Sequence, residues 1–390
     1  MGGGKLMAIP ILCVNPKAEI GGSDASLVDL VSHLDASRYA PVVLLPHSGP
    51  FDATLRQAGA TVVFGPVAPL RRFSRPVEFL TWLRNLVRSF RSTRALIRHW
   101  NIRLVHVNSI VTLAPALATA SVGVPLVWHL RELVAGPPLV QKMLVGIVAR
   151  TATRILAISS AVARQLPLSA HNRLHIVPNG IDLTRFDIDE DRASSRHRLG
   201  LPQHAPITCF VGRLAPWKGA HVYLDACELV AVQLPDAHFL LVGSSFPKYQ
   251  DYTQQLLART KRAPLAGRVT VFLNQTDIPG FMSAADVVLH CSVTPEPFGR
   301  VVIEAMAARR PIIAAAEGGV PEIITSADEG LLVPPGDAEA LAEAALSVLN
   351  DPDKARRLGE AGYRRASAQF TTARLAARVD TVYASLLDSA

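Results

Sequence analysis

Residues 285–322 read ADVVLHCSVTPEPFGRVVIEAMAARRPIIAAAEGGVPE. An apolar run from Ala285 to Cys291 has the composition of a buried strand. A loop rich in Pro and Gly follows, a helical pattern opens near Gly299, and a second apolar run covers Pro311 to Ala315. A loop that meets a helix start at the C-terminal end of a parallel strand leaves backbone N–H groups free and adds the positive end of the helix dipole, so it suits an anion. Gly299 allows close approach to the backbone. Two acids stand in this frame, Glu296 in the loop and Glu304 one turn into the helix. An acid so placed can accept hydrogen bonds from a ribose diol, as it does in dinucleotide-binding folds. Spacing alone would equally describe two surface charges; the strand–loop–helix–strand frame is what favours a site. Gly318 and Gly319, before Pro321 and Glu322, repeat the device at the next strand end.

The rest of the chain extends this pattern in both directions. Its 390 residues are 49% hydrophobic, enough for two or three buried cores. The expected strands in the first half are 8–14, 41–46, 61–64, 104–107, 125–129, 154–158 and 174–177. Helical patterns fill the gaps at 23–36, 50–58, 76–100, 110–122, 138–150 and 160–166. The second half repeats the alternation, with strands at 207–211, 239–242, 269–272, 287–291, 311–315 and 331–333. Its helices fall at 219–233, 249–261, 277–284, 300–308, 320–325 and 338–349, and two more follow at 352–368 and 372–387. Strands separated by helices imply parallel, doubly wound sheets. The fold class is therefore α/β, with two Rossmann-like domains, 1–185 and 186–371, facing a central cleft. The polar run 182–206, after the turn PNGID (Pro178–Asp182), is read as the crossing between them and the entry into the second. Residues 104–128 carry no Asp, Glu, Lys or Arg. Their Pro and Gly divide them into strand, helix and strand, so they are read as sheet core and not as a membrane span.

Charge is distributed unevenly. Residues 1–180 hold 19 Lys and Arg against 7 Asp and Glu, a balance of +12, while the remainder holds 21 against 25, a balance of −4. An anionic partner is expected on the first domain. The four cysteines, Cys13, Cys209, Cys227 and Cys291, form no Cys-x-x-Cys, which fits a reducing compartment and no thiolate metal site. His171 and His175 lack a third ligand nearby. The N-terminus lacks the layout of a signal peptide. A cytoplasmic protein, bound at most peripherally to the inner face of a membrane, is expected.

Several short segments carry chemistry. In GRLAPWKG (Gly212–Gly219), Arg213 and Lys218 lie in a glycine-bounded loop ahead of a helix. Arg forks onto phosphate oxygens and Lys adds a mobile charge, which suits a diphosphate leaving group. EIGGSDAS (Glu19–Ser26) places Gly21 and Gly22 before a helix with Ser23 as its expected N-cap. VWHLRE (Val127–Glu132) puts His129, Arg131 and Glu132 at a strand end facing the presumed cleft. DIDED (Asp187–Asp191) contains Asp-x-Asp, a metal signature elsewhere, but lies in the polar crossing and is read as solvated. Residues 71–103 hold nine arginines and one acid, Glu78. Arg84, Arg88, Arg91, Arg94 and Arg98 form one helical stripe; Phe79, Leu83, Leu86, Phe90 and Ile97 form another, with Trp82 and Trp100 beside it. The pattern suits an anionic membrane surface; it also suits a helix packing its apolar stripe on the sheet.

Taken together and in order, IGGSD (Ile20–Asp24), VWHLRE, AISSAV (Ala157–Val162), PNGID, VGRLAPWKG (Val211–Gly219), PEPFGRVVIEA and GGVPE (Gly318–Glu322) resemble the retaining GT-B glycosyltransferases of the family-4 group, over nearly the whole chain. The family's Gly-Gly-x-Glu is Gly21-Gly22-Ser23-Asp24 here, one methylene shorter at the acid. The resemblance implies a GT-B fold whose last helix, within 372–390, crosses back to the first domain. It implies a nucleotide-sugar donor, no cofactor and no metal. Arg213 and Lys218 would bind the diphosphate, Glu304 the ribose hydroxyls and Glu296 the transferred sugar. Backbone N–H groups of Phe298, Gly299, Arg300 and Val301 would touch sugar and phosphate. Gly21 and Gly22 would also approach the donor. The base would lie near Leu273–Ile278, against Asn274 and Ile278, with UDP favoured over GDP. His129 would stand near the anomeric carbon. The implied reaction moves a hexose-type sugar to a glycan, lipid-linked or small-molecule acceptor, in cell-surface polysaccharide or glycoconjugate synthesis; nucleic acid is not an expected partner. Two other readings stay open: a nucleotide-sugar epimerase of the same fold, and a non-catalytic protein that binds sugar nucleotides or a membrane.

Overall fold

The computed structural model describes residues 8–19, 21–71, 75–186 and 191–388. The chain divides into two compact units, residues 1–180 with 372–390, and residues 181–371.

The first unit is built on a seven-stranded sheet of β1 (Ile9–Val14), β2 (Tyr39–Leu45), β3 (Thr61–Phe64), β4 (Leu104–Val107), β5 (Leu126–Leu130), β6 (Arg154–Ala157) and β7 (Leu174–Ile176). The order is β3-β2-β1-β4-β5-β6-β7 and every pairing is parallel. β4 and β5 are buried at every position, which is why they read as runs without Asp, Glu, Lys or Arg and not as alternating ones. The uncharged stretch 104–128 is β4, the helix Leu113–Ala120 and the start of β5. Among the described residues no helix is long and apolar enough to cross a membrane. The helix Thr372–Leu387 belongs to this unit: Leu375, Val379, Val382 and Tyr383 share one core with Ile11, Leu104 and Leu156. The Tyr39 hydroxyl and Arg38 both donate to Asp380 on that helix.

The second unit has a six-stranded sheet of β8 (Ile207–Arg213), β9 (His238–Ser244), β10 (Val269–Leu273), β11 (Val287–His290), β12 (Ile312–Ala315) and β13 (Leu331–Val333). Its order is β10-β9-β8-β11-β12-β13, again all parallel. Each sheet reverses its winding once, between β1 and β4 in the first unit and between β8 and β11 in the second. At such a reversal the two loops leaving the strand ends diverge, and a crevice for ligands opens between them.

Two expectations need correction. The run 182–206 falls in the second unit and holds a helix that its polar sequence did not announce, Arg192–Arg198, capped by Asp191, whose side chain accepts the Ser194 N–H. Arg196 of that helix is buried, donates to the carbonyls of Ala284, Gln203 and Ala205, and pairs with Asp286 at 2.7 Å. A buried arginine that reaches three carbonyls and a carboxylate binds the segment to the second unit, and a polar sequence hides this. Asp187–Glu190 of the Asp-x-Asp segment lie outside the described residues. The first helix spans Gly22–Val31, so Ser23 lies inside it and Gly21 is the N-cap.

Candidate functional site

The switch point of the second unit gathers residues far apart in sequence. Lys218 ends a short 3-10 turn after β8, and Glu296 sits in the loop after β11. Lys218 Nζ lies 2.6 and 2.7 Å from the two carboxylate oxygens of Glu296. Two glycines bring the loops this close. Gly219 has φ +71°, and a Cβ there would run into the Cys291 carbonyl; the Val293 N–H also donates to the Trp217 carbonyl at 2.9 Å. Gly318, at φ +69°, packs its α-carbon on the Glu296 backbone, and the Gly319 N–H donates to the Glu296 carbonyl at 2.8 Å. The Gly-Gly pair at 318–319 therefore pins Glu296. The helix that follows it has only four residues, Val320–Ile323, too few for the second anion site expected from sequence.

The Glu296 carboxylate also accepts from Ser292 Oγ at 2.8 Å, and Ser292 Oγ lies 3.2 Å from His290 Nε2. Burial on its own would raise the Glu296 carboxyl, and it is the largest single influence. The charge of Lys218 and the contacts with His290 act together against it and hold the group well below the usual carboxylate range. Glu296 is thus an anion at any ordinary pH, unsuited to donating a proton and suited to accepting hydrogen bonds.

The other candidates of this unit lie around that pair. Arg213 closes β8, is exposed, and stacks its guanidinium 4.6 Å from the centre of the Phe246 ring. Gly299, at φ +104°, caps the helix Arg300–Ala307, and Arg300 Nε reaches Glu304 Oε1 at 3.0 Å within it. Val301 is half-buried in the first turn, and the Phe298 ring is buried, edge-on to Phe370. Phe298 thus presents backbone, not side chain. Asn274 follows β10 in the left-handed region (φ +54°) and accepts the Ser245 N–H at 3.1 Å. Ile278 packs its side chain against the core around Leu201, Ile207 and Phe281.

The strand ends of the first unit hold a different cluster. Asn15 after β1, Asn108 after β4, Arg131 after β5 and Asn179 after β7 are all buried. Arg131 donates to Asn108 Oδ1 and Asn179 Oδ1, and its third nitrogen lies 3.3 Å from His129 Nδ1. Asn108 donates to Asn15, and Asn15 donates to Asp24, which also accepts the Gly21 N–H. Asp24 therefore serves to fix the turn through Gly21 and Gly22. His129 lies within β5 and is wholly buried, not at a strand end open to solvent. Its Nδ1 contacts His106 Nε2 at 3.2 Å, and His106 Nδ1 contacts the Tyr383 hydroxyl at 2.7 Å. His129 Nε2 is buried without a hydrogen-bond partner among the described residues. Burial first, and the Arg131 charge second, push His106 down to about 3 and His129 well below its ordinary value. Glu132 accepts from Ser109 at 2.5 Å; burial raises its carboxyl despite that bond.

Sequence reasoning missed Asn15, Asn108, Ser292, His290 and Phe246. A findable signal existed for the first two: each asparagine directly follows an apolar strand that borders the reversal of the sheet.

The arginine-rich helix spans Pro76–His99 and divides in two. Ser89, Thr93 and Ile97 of its second half are buried. Its first half exposes Val77, Phe79, Leu80, Leu83 and Val87, the least covered being Val77 and Leu80 at 62%. Arg84, Arg88 and Arg91 are exposed beside them. The expected apolar stripe is therefore half core and half surface. Trp82 is not on that surface, because its Nε1 donates to the carbonyls of Ala68 and Pro69. Arg72–Ser74 lie outside the described residues.

Comparison with known proteins places these features in a family. The family model for glycosyl transferases group 1 matches residues 191–365, and that for glycosyltransferase family 4 matches residues 20–185. The alpha-maltose-1-phosphate synthase of Mycolicibacterium smegmatis is 30% identical over 337 residues, covering 82% of this chain and 86% of that protein. The D-inositol 3-phosphate glycosyltransferase of Corynebacterium glutamicum is 31% identical over 217 residues; the match spans 54% of this chain and about half, 51%, of that relative's length. Among solved structures, Anabaena Alr3699/HepE in complex with UDP and glucose superposes with a TM-score of 0.82 at 25% identity, covering 96% of this chain and 99% of the other. The chain belongs to the family-4 group of GT-B glycosyltransferases.

Proposed function

We propose that the protein is a retaining, metal-independent glycosyltransferase that moves a hexose-type sugar from a nucleotide-sugar donor, UDP-linked in preference to GDP-linked, to an acceptor in cell-surface glycoconjugate synthesis. The observation that carries the reading is the Lys218–Glu296 pair at the switch point of the second sheet, with Arg213 and the Gly299-capped helix beside it. When the bond from the anomeric carbon to the diphosphate breaks, negative charge grows on the departing oxygen. Arg213, Lys218 and the N–H groups from Phe298 to Val301 neutralise it without a metal ion. Among the described residues no group of three His, Cys, Asp or Glu side chains is placed to hold a metal. Glu296, kept ionised, accepts from hydroxyls of the sugar, and Glu304 accepts from the ribose. Asn274 and Ile278 border the base. His129, wholly buried beside His106 and Arg131, supports the strand ends of the first unit and does not touch the sugar. UDP in the complexes of the Anabaena neighbour supports the choice of donor.

The proposed acceptor is lipid-linked, on the inner face of a membrane, reached by docking of the helix Pro76–His99. Its first half exposes apolar side chains next to a row of arginines, the arrangement that inserts into an anionic interface.

A thermal-shift screen of UDP, GDP, ADP and their sugars identifies the donor, since a ligand at a hundred times its Kd stabilises by about 2.7 kcal/mol. Transfer from that donor is then followed by NMR with and without chelator. An α-linked product from an α-linked donor, formed equally in chelator, supports the proposal. An inverted product, or activity lost in chelator and restored by metal, overturns it.

A further inference from the structure

We infer that His290 and Ser292 form a positioning pair for Glu296, holding its carboxylate in place when Lys218 turns from it to the diphosphate of the donor. The inference rests on the functional reading above and adds residues to it. In the structure Lys218 spends two of its three N–H donors on Glu296. A nucleoside diphosphate brings more negative charge than one carboxylate and competes for the same ammonium. Once Lys218 shifts, Glu296 would be free to change rotamer just when it must meet the sugar hydroxyls.

The hydrogen bond that remains comes from Ser292, and His290 Nε2 itself stands 3.8 Å from Glu296 Oε2. The Ser292 hydroxyl has a single proton, and that proton is given to Glu296 Oε2 at 2.8 Å. The bond to His290 must then run the other way, from the Nε2 proton of His290 to the Ser292 oxygen at 3.2 Å. This fixes the tautomer: Nε2 carries the proton and Nδ1 a lone pair. His290 Nδ1 is buried with no hydrogen-bond partner, so a proton moved there would find no acceptor. The ring thus has one productive arrangement, which points the Ser292 proton at Glu296. Both side chains are buried, and His290 closes β11, so the chain Glu296–Ser292–His290 is anchored in the sheet itself. Gly318 and Gly319 pin the backbone of Glu296; His290 and Ser292 fix its side chain.

The test compares two ligands that differ only by the sugar, UDP-glucose and UDP, titrated calorimetrically into wild type, Ser292→Ala, His290→Leu and His290→Gln. Ser292→Ala and His290→Leu are expected to weaken UDP-glucose by roughly five- to tenfold, the loss of one charge-assisted hydrogen bond, while UDP stays within about twofold of wild type. His290→Gln, which keeps an N–H donor at a similar reach, is expected to restore most of the affinity for UDP-glucose. Equal weakening of both ligands, no weakening of either, or failure of Gln to do better than Leu overturns the inference. A wild-type protein that binds no nucleoside diphosphate or its sugar overturns the functional reading itself, and this inference with it.

Discussion

The two strand-end clusters occupy corresponding places in their sheets, each beside the single reversal of strand order, yet they are built from opposite chemistry. In the first unit, Asn15, Asn108, His129, Arg131 and Asn179 are buried and bonded to one another. In the second unit, Lys218 and Glu296 are charged, in contact, and partly open, their side chains being 26% and 15% exposed. The network of the first unit is enclosed, and Arg131 spends donors on Asn108 and Asn179 within it, so it has little to offer a ligand. An ion pair at a partly open loop can exchange one partner for another at little cost, since a competing anion replaces the bond it takes. The first cluster reads as scaffold and the second as binding site.

The largest effect expected from this contrast is on transfer. Lys218→Ala and Glu304→Ala should each lower kcat/KM by ten- to a hundredfold or more, about 1.5–3 kcal/mol per charge-assisted contact, with the fold intact. Steady-state kinetics beside circular dichroism checks this; wild-type turnover in both variants would break the assignment.

Acid should weaken the first unit. His106 and His129 have depressed values when folded, so the unfolded chain binds protons that the folded one refuses. Their stabilising contribution is whole above pH 6.5 and is lost as pH falls from there toward about 3 for His106. Between pH 7.5 and 5.5 the two histidines should lower the stability of the first unit. Glu296, depressed far into acid, does not titrate over that range; His238, lowered by burial, gives the second unit a fall of the same sign. With Trp217→Phe, the remaining tryptophans, Trp82, Trp100 and Trp128, all report the first unit. Its urea midpoint should fall on acidification, and His106→Gln should flatten the fall.

Asn108→Ala should cost about 1–3 kcal/mol of stability, because buried donors on Arg131 lose their acceptor. Donor affinity should stay the same if this cluster is scaffold. A shift in donor affinity matching the loss in stability would erase the distinction between the clusters. The smallest effect is at the surface helix. Arg88→Glu should weaken co-sedimentation with anionic vesicles by about 1 kcal/mol for the arginine lost, more in low salt than in high, and leave neutral vesicles unaffected.

Much of this was legible in the sequence, and the physical reasons are specific. Parallel strands covered on both faces carry no charged Asp, Glu, Lys or Arg and do not alternate, so β4, β5, β11 and β12 announce themselves. Glycines required by close approach, such as Gly219 against Cys291 and Gly318 against Glu296, mark where loops must meet. What they meet is not legible. Nothing in the order of residues says that Lys218 and Glu296 touch, because that depends on β8 lying beside β11. The helix Arg192–Arg198 was hidden for a related reason: its stability comes from Arg196 reaching carbonyls in other segments, and its own apolar face is slight. His129 looked like a residue at an open strand end. Only the packing of Tyr383 and His106 behind it, from the far end of the chain, shows it enclosed.

The most direct test of the central claim, that the diphosphate is received where Lys218 meets Glu296, is calorimetric titration of UDP into wild type, Lys218→Ala and Arg213→Ala. The account predicts that wild type binds and that each variant binds about tenfold or more weakly, one charge-assisted phosphate contact apiece. Unchanged affinity in both variants would contradict it.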